Sequence, residues 1–233
     1  MNIKKIKGTI SALHDLSPSA REVEITLPEP LGFTAGAFIN IFVEKNGEKL
    51  RRAYSLSSSD TEQQKVSIAI RKVPNGAVGP LFWNDAMLGT EIDIMGPLGL
   101  NTMDKMKSSR VFLFGFGIGA GVIKSLALSL LTKKEITELC IMTGSVTEDE
   151  IVFKDEFNKL VETDTRVTFV PVVSNPLPNS VRHAGYIQNH IENLDFSNAD
   201  VYICGQEVAC SALRTAIEAK QPQGTNFFIE AFH

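Results

Sequence analysis

The sequence VFLFGFGIGAGVIKSLALSLL occupies residues 111–131 and contains the transition that decides the fold. It opens with VFLFGF, an unbroken apolar run that is typical of a β-strand covered on both faces. Glycines at alternate positions from Gly115 to Gly121 then lead into AGVIKSLALSLL, whose length and leucine spacing predict an α-helix. The stretch therefore predicts the first strand and helix of an α/β domain.

The same alternation of strand and helix continues downstream. Predicted strands lie at residues 138–144, 166–173, 200–205 and 226–232, and predicted helices at 152–162, 185–194 and 207–220. Strands that alternate with helices form a parallel sheet with helices on both faces. We expect this α/β parallel-sheet domain at residues 108–233, after a polar connection within residues 101–110.

The N-terminal half has a different pattern. In KVSIAIRKV, the apolar residues Val66, Ile68 and Ile70 alternate with more polar neighbours, as in a half-buried strand. Similar short runs separated by turn-forming residues lie at 9–16, 21–27, 37–43, 51–57 and 91–95. This spacing predicts a small all-β sandwich or barrel of six strands, with a short helix near residues 80–87.

Composition excludes several classes of protein. The chain of 233 residues is 43% hydrophobic and 21% charged, which argues against intrinsic disorder. A net charge of −4 without a long basic run argues against nucleic-acid binding. No apolar stretch approaches the roughly 20 residues of a membrane span, and the N-terminus does not resemble a signal peptide. We therefore expect a soluble, cytoplasmic protein without a membrane partner.

The three cysteines, Cys140, Cys204 and Cys210, form no C-x-x-C pair. An odd number of cysteines without paired spacing argues against a disulfide framework, a zinc site or an iron–sulfur cluster. The histidines show no metal-ligand spacing either. We predict no metal site.

The glycine cluster between strand and helix suits phosphate binding. Glycines let a backbone approach a pyrophosphate, and the helix N-terminus offers unpaired N–H groups. The same spacing is equally consistent with a tight turn that only packs closely.

Two further motifs could carry chemistry. In RRAYSLSSS, at residues 51–59, a guanidinium, an aromatic ring and a hydroxyl on one strand could hold a phosphate and a flat heterocycle. In VYICGQE, Cys204 ends a buried strand, where a thiol could contact a cofactor, although a free cysteine is often only a small buried hydrophobe.

Taken in chain order, these segments resemble the ferredoxin–NAD(P)H reductase-like flavin oxidoreductases over nearly the whole chain. The resemblance implies an antiparallel six-stranded β-barrel that binds FAD at residues 1–102, followed by an NAD(P)-binding domain. Arg52, Ala53, Tyr54 and Ser55 match the family's R-x-Y-S motif. There the arginine binds flavin phosphate, the tyrosine stacks on the ring system and the serine hydrogen-bonds its reactive edge.

The segment RKVPNGAVGPLFW is similar to the family's loop and short helix that cradle the flavin pyrophosphate. The cofactor-binding residues that this implies are Ile70, Arg71, Gly76, Ala77, Val78 and Gly79. Family members often have Ser or Thr where this chain has Gly79, so we expect a backbone N–H to replace that contact. GPLG, at residues 96–99, matches the end of the family's flavin domain.

The resemblance also implies a nicotinamide nucleotide site in the second domain. Its residues are Gly117, Ile118, Gly119, Gly144, Ser145, Cys204 and Gly205. Three positions depart from the family pattern: Phe116 replaces a usual glycine, and Val122 and Gln206 replace usual prolines.

The C-terminal sequence IEAFH resembles the family's glutamate and aromatic residue near the flavin. We predict Ser55, Cys204 and Glu230 as the catalytic residues and Phe232 as the residue that covers the flavin ring, with His233 as a weaker alternative. The acidic residues of VTEDE are predicted to be a solvated helix start, where carboxylates complement the helix dipole.

The function implied is a reductase that transfers hydride from a reduced nicotinamide to bound FAD. The electrons then pass to a separate acceptor such as a ferredoxin, a flavodoxin, an oxygenase component or free flavin. One alternative is a reductase that uses free flavin as its substrate. Another is a non-catalytic electron-transfer subunit with a decayed nucleotide site, which the departures at Phe116, Val122 and Gln206 would explain.

The sequence favours NADH over NADPH. A 2′-phosphate is normally met by arginines or lysines near the adenosine ribose. At the corresponding stretches this chain has GSVTEDE, SNP and HAGYI, where acidic residues such as Glu150 would repel a phosphate. Lys154 and Arg182 are the cations that could still reach it.

Overall fold

A six-stranded antiparallel sheet accounts for the N-terminal half. The computed structural model describes residues 2–45, 47–73, 75–178, 180 and 183–232. The strands of this sheet are β1 (Lys4–Ser17), β2 (Ala20–Thr26), β3 (Phe38–Lys45), β4 (Glu48–Ser55), β5 (Lys65–Arg71) and β6 (Glu91–Leu98). Their spatial order is β4-β3-β6-β1-β2-β5, and every neighbouring pair is antiparallel.

The sheet closes on itself just after β4. Leu56 forms an antiparallel bridge with Ile68 of β5, and the backbone N–H of Ser57 donates to the carbonyl of Ser67 at 2.7 Å. Alternate residues of the strands fill the interior, including Val66, Ile68 and Ile70 as their spacing predicted. The six-stranded barrel is therefore confirmed. Two short 3₁₀ helices, Gly79–Trp83 and Asp85–Met87, lie where one short helix was predicted.

A parallel sheet with helices on both faces forms the C-terminal half. Its strands are β7 (Arg110–Phe116), β8 (Glu138–Ser145), β9 (Val167–Val173), β10 (His183–Ala184), β11 (Asp200–Gln206) and β12 (Asn226–Phe232), in the order β10-β9-β8-β7-β11-β12. Helices α1 (Ala120–Leu130) and α2 (Lys154–Thr163) pack on one face, and α3 (Glu207–Glu218) packs on the other. The predicted α/β fold is confirmed. Among the described residues, no helix has both the length and the apolar character of a membrane span.

The helix predicted at residues 185–194 is wrong. Only a short 3₁₀ turn, Ile187–Asn189, forms there: the backbone N–H of His190 donates to the Ile187 carbonyl at 2.9 Å, and the chain leaves helical geometry at His190. Ile187 and Ile191 are nevertheless buried in one cluster, so their four-residue spacing reflects a shared core contact without a helix.

The connection between the two sheets is held by a buried carboxylate. Asp200, at the start of β11, accepts the backbone N–H groups of Lys107 and Ser108 at 2.6 and 2.7 Å. Its other oxygen accepts the side-chain amide of Asn226 at 2.8 Å. Residues 107–108 are thereby tied to the start of β11. The domain limits at residues 102 and 108 remain predictions.

The two halves share one hydrophobic cluster. Small barrel residues, Ala20, Ala35 and Ala69, belong to the same core as the buried residues of α1. A Cβ added to Gly121, in the first turn of α1, would lie 3.1 Å from the Cβ of Ala69. Because α1 approaches the barrel wall this closely, the two domains pack as neighbours without a gap at the helix start.

A buried ion pair crosses the same seam. The Lys124 ammonium on α1 donates to Glu22 Oε1 on β2 at 2.7 Å, and the Ser57 hydroxyl donates to the same oxygen at 2.6 Å. The ammonium also lies 4.2 Å from the ring centroid of Phe153. The Glu22 carboxylate and the Lys124 ammonium neutralise each other, and the Ser57 hydroxyl and the Phe153 ring add contacts to them. Either charge would be costly to bury alone.

Replacing Lys124 with Met should therefore destabilise the protein by about 3 kcal/mol, because Glu22 would remain buried without its cation. Urea unfolding followed by the fluorescence of the single tryptophan, Trp83, measures this change. The double variant with Glu22→Gln should recover most of the loss. Lys159→Met, on the exposed face of α2, is the matched control. A Lys124→Met protein as stable as the control would contradict the importance of the pair.

Candidate active site

A cleft of about 400 Å³ lies between the carboxyl ends of the parallel strands and the barrel. Carboxyl ends of strands are where open α/β sheets bind ligands. Four residues predicted from the second half, Gly117, Ile118, Gly144 and Ser145, line this cleft together with Arg71 from the barrel. The fold thus brings predicted residues from both halves to one cleft.

Two glycines behind the cleft let the ends of β7 and β11 approach each other. A Cβ on Gly119 would lie 2.7 Å from the carbonyl carbon of Cys204. Gly205 has φ +147°, and its Cβ would lie 2.5 Å from the Cβ of Phe116. A side chain at either position would push these strand ends apart. The predicted residues Gly119, Cys204 and Gly205 therefore form one packed unit.

Phe116 occupies space that glycines leave. A Cβ on Gly144 would lie 2.9 Å from Cδ1 of the Phe116 ring, and Gly205 leaves room on the other side. The departure from the family's usual glycine at residue 116 is thus matched by missing side chains on the two neighbouring strands. The cleft beside Phe116 remains open.

The Arg71 guanidinium lies where the barrel meets the glycine turn. Its Nη1 is 3.7 Å from the position that a Cβ of Gly117 would occupy. Within the described part of the chain, Arg71 has no carboxylate within ion-pair distance. An unpaired cation beside the N-terminus of an eleven-residue helix suits anionic phosphates. These residues therefore fit a dinucleotide.

Ser55 and Glu230 meet at the seam although they are 175 residues apart in the sequence. The Ser55 hydroxyl, at the end of β4, donates to Glu230 Oε1 on β12. The Tyr202 hydroxyl, on β11, donates to Glu230 Oε2 at 2.8 Å. Cys204 lies opposite Glu230 in the parallel pairing of β11 with β12. The three predicted catalytic residues are thus together in space.

Burial dominates the electrostatics of this cluster. It raises the pKa of the Glu230 carboxyl, and the hydrogen bonds from Ser55 and Tyr202 offset part of that effect. Burial, followed by the charge of Glu230, raises the pKa of the Cys204 thiol well above its usual value. Cys204 therefore stays a thiol at neutral pH, which suits a positioning contact and does not suit a nucleophile.

The R-x-Y-S segment presents a flat, cationic surface. Arg52 and Ala53 are exposed on β4, while the Tyr54 ring packs against the barrel core. Burial raises the pKa of Tyr54 to about 12, against an opposing effect of the nearby Arg52 guanidinium. Arg52 Nη1 donates to the Arg51 carbonyl at 2.8 Å and forms no ion pair among the described residues. A half-buried aromatic ring, a small neighbour and an unpaired cation fit a ring system that carries phosphate, as FAD does.

The predicted pyrophosphate loop follows β5. A Cβ on Gly79 would lie 2.6 Å from the Arg71 carbonyl oxygen, so the loop packs against the end of that strand. The side chains of Ile70 and Val78 are buried in the barrel core. Only the backbone groups of these two residues could contact a cofactor, whereas Gly76 and Ala77 are more accessible.

Phe232 ends β12 and packs against the core that the two domains share. It is half-buried and pairs with Gln206 in the sheet. Its predicted role as a cover for the flavin remains a prediction. The alternative candidate, His233, lies outside the described residues.

Sequence analysis missed the roles of Tyr202 and Glu150. Tyr202 could have been found, because it lies two residues before Cys204 and alternate strand residues share a face. Glu150 was predicted to be solvated at a helix start. It instead lines the cleft and accepts the hydroxyls of Ser17 and Ser19 at 2.7 and 2.6 Å. Local sequence could not reveal this contact, since the two serines belong to the barrel.

Comparison with known proteins agrees with this architecture. Residues 7–102 match the oxidoreductase FAD-binding domain, and residues 113–214 match the oxidoreductase NAD-binding domain. The electron transfer subunit of dihydroorotate dehydrogenase B (NAD(+)) from Fusobacterium nucleatum is 32% identical over 191 residues, which cover 79% of this chain and 68% of that protein.

Two further comparisons extend over almost the whole chain. The phenol hydroxylase P5 protein of Acinetobacter pittii is 25% identical over 94% of this chain, but the chain spans only 63% of that relative's length. The structure of the cytochrome P450 reductase GcoB from Amycolatopsis superposes with a TM-score of 0.90 at 22% identity, covering 99% of this chain and 70% of that one. The structural likeness shows the shared fold.

The raised pKa of Glu230 predicts how stability depends on pH. Between its unfolded and folded pKa values, the folded protein binds more protons than the unfolded chain does, so the free energy of unfolding falls as pH rises through that interval. In Glu230→Gln, the free energy of unfolding should no longer fall with pH over that interval. Urea unfolding at several pH values measures it, with the exposed Glu91→Gln as control. An unchanged pH dependence in Glu230→Gln would show that Glu230 is not buried as described.

Proposed function

The chain belongs to the ferredoxin–NAD(P)H reductase-like family of flavin oxidoreductases, and we propose that it is an NAD(P)H-dependent flavoprotein reductase that passes electrons to a separate acceptor. The observation that carries this proposal is the meeting of Ser55 with Glu230 beside Cys204. The barrel's R-x-Y-S motif thereby adjoins the strand end where a nicotinamide nucleotide would lie.

The barrel residues would hold FAD. Arg52 offers a guanidinium that forms no ion pair with any described residue, Tyr54 offers an aromatic face, and the backbone of residues 76–79 offers N–H donors. FAD, when bound, accepts a hydride and releases its electrons singly or as a pair. Ser55 would contact the reactive edge of the ring, while Phe232 would lie over one face.

The cleft would hold the nicotinamide dinucleotide. Gly117, Ile118 and Gly119 would face its pyrophosphate at the start of α1, and Gly144 and Ser145 would border its ribose. Cys204 and Glu230 would flank the reacting carbons and fix their position. Precise placement of two reactants is the main contribution that a protein can make to such a transfer.

The acceptor would be a separate electron carrier or oxygenase component. All three cysteines of the chain are free and buried, so this chain has no set of thiolates for an iron–sulfur cluster. The free thiols also support a cytoplasmic location, where cysteines stay reduced. The named relatives include an electron transfer subunit and a protein of phenol hydroxylase, which supports delivery to a partner.

We expect the purified protein to contain FAD, and Arg52→Ala to weaken FAD binding by ten- to a hundredfold, since a hydrogen bond to a charged group contributes about 1.5–3 kcal/mol. Chromatography of the heat-released flavin identifies the cofactor, and titration of the apoprotein with FAD measures the binding affinity. Arg51→Ala is the matched control, because neighbouring strand residues point to opposite faces. FMN alone would overturn the FAD assignment, and wild-type protein that binds flavin only as a dissociating substrate would favour a flavin reductase.

We also expect a preference for NADH over NADPH of at least about tenfold in kcat/KM, equivalent to about 1.4 kcal/mol. Glu150 lines the cleft and would repel a 2′-phosphate, while Arg182 lies outside the described residues. Glu150→Gln should narrow the preference, and the exposed neighbour Asp149→Asn should leave it unchanged. Steady-state kinetics with ferricyanide measure the ratio. A tenfold advantage for NADPH would reverse the assignment, and absence of saturable turnover would indicate a non-catalytic subunit.

A further inference from the structure

Glu230 is a partly buried carboxylate, and each of its two oxygens accepts a hydrogen bond from a neutral hydroxyl. Ser55 donates to Oε1 from the barrel, and Tyr202 donates to Oε2 at 2.8 Å from the parallel sheet. The titratable groups whose pKa values respond to its charge are Tyr202, Cys204 and the Cys210 thiol of α3. No cation among the described residues pairs with it.

The two hydroxyls differ in what they can do when Glu230 gains a proton. Burial, together with the charge of Glu230, raises the pKa of Tyr202 well above its usual value, so Tyr202 keeps its own proton and remains a donor. An oxygen that accepts from Tyr202 is a poor place for a proton. Ser55 can rotate, and its oxygen can accept as readily as its hydrogen can be donated.

We propose that Tyr202 is a positioning residue that keeps the proton of Glu230 on Oε1, the oxygen beside Ser55. With Glu230 ionised, Ser55 donates to it, and the lone pairs of the Ser55 oxygen are directed away from Glu230. With Glu230 protonated, Oε1 donates to Ser55, whose own hydrogen is then directed away from Glu230. Because Tyr202 keeps the proton of Glu230 on Oε1, the direction of the Ser55 hydroxyl hydrogen depends on whether Glu230 is protonated.

This inference rests on the proposed function for its catalytic meaning, because Ser55 is the residue placed at the reactive edge of the flavin. The geometry itself depends only on the chain. Tyr202 is fully buried and stacks on Phe228 with ring planes 12° apart, so its hydroxyl has a fixed direction.

Replacing Tyr202 with Phe removes one donor to the carboxylate and should shift the protonation equilibrium of Glu230 about tenfold toward the acid, as expected for the loss of one charge-assisted hydrogen bond. An NMR pH titration of protein with isotope-labelled glutamate carboxyl carbons measures the shift, with the Glu230 signal identified by its loss in Glu230→Gln. Phe227→Leu, which changes a ring on the opposite face of β12, should leave the titration unchanged.

Ser55→Ala tests the direction of the proton. Ser55 stabilises both forms of Glu230, as a donor to the anion and an acceptor from the acid, whereas Tyr202 mainly stabilises the anion. The shift in Ser55→Ala should therefore be smaller than in Tyr202→Phe. An equal or larger shift would overturn the proposed location of the proton, and an unchanged titration in Tyr202→Phe would overturn the role of Tyr202.

The FAD-loaded protein provides a separate readout. In Tyr202→Phe, flavin content should stay at the wild-type level while the pH profile of flavin reduction by NADH moves with the NMR titration. If the pH profile of flavin reduction did not shift in Tyr202→Phe, flavin reduction would not depend on the protonation of Glu230. Wild-type protein that binds no FAD would overturn the proposed function instead, while the titration would still decide where the proton lies.

Discussion

The approach of α1 to the barrel wall is the constraint on which the rest of the structure depends. Gly121 lets the first turn of the helix lie against Ala69, and one turn later Lys124 forms its buried ion pair with Glu22. The apolar contact sets the distance between the domains. The ion pair fixes how α1 is oriented on the barrel, because an orientation that separated Lys124 from Glu22 would leave a buried charge without its partner.

The packing of α1 against the barrel fixes the positions of the site residues. Because α1 starts immediately after the glycine turn, fixing the helix also fixes Gly117 beside Arg71 and the strand end at Cys204. The same seam brings Ser55 of β4 against Glu230 of β12. The site is therefore formed by residues of both domains, and neither domain contains it alone.

The seam holds two carboxylates in contrasting environments, of which Glu22 is buried and Glu230 is partly buried. Glu22 accepts from an ammonium and a hydroxyl, so its charge is matched. Among the described residues, Glu230 accepts only from the hydroxyls of Ser55 and Tyr202, and burial raises the pKa of its carboxyl. The first arrangement suits a structural contact, whereas the second suits a group that gains and loses a proton.

Residue periodicity in the sequence determined three α-helices, every strand except the two-residue β10, and the division into an antiparallel and a parallel sheet, because local burial patterns repeat with the period of each element. Residue type at short spacing indicated the R-x-Y-S, glycine and C-G segments. Periodicity was misleading at residues 185–194, where Ile187 and Ile191 share a core contact across a 3₁₀ turn and the irregular chain that follows it. Only the tertiary structure decided that Glu150 meets the barrel serines, that glycines accommodate Phe116, and that Tyr202 and Ser55 share Glu230. These contacts join residues far apart in the chain, and they depend on how two domains dock, which no local pattern encodes.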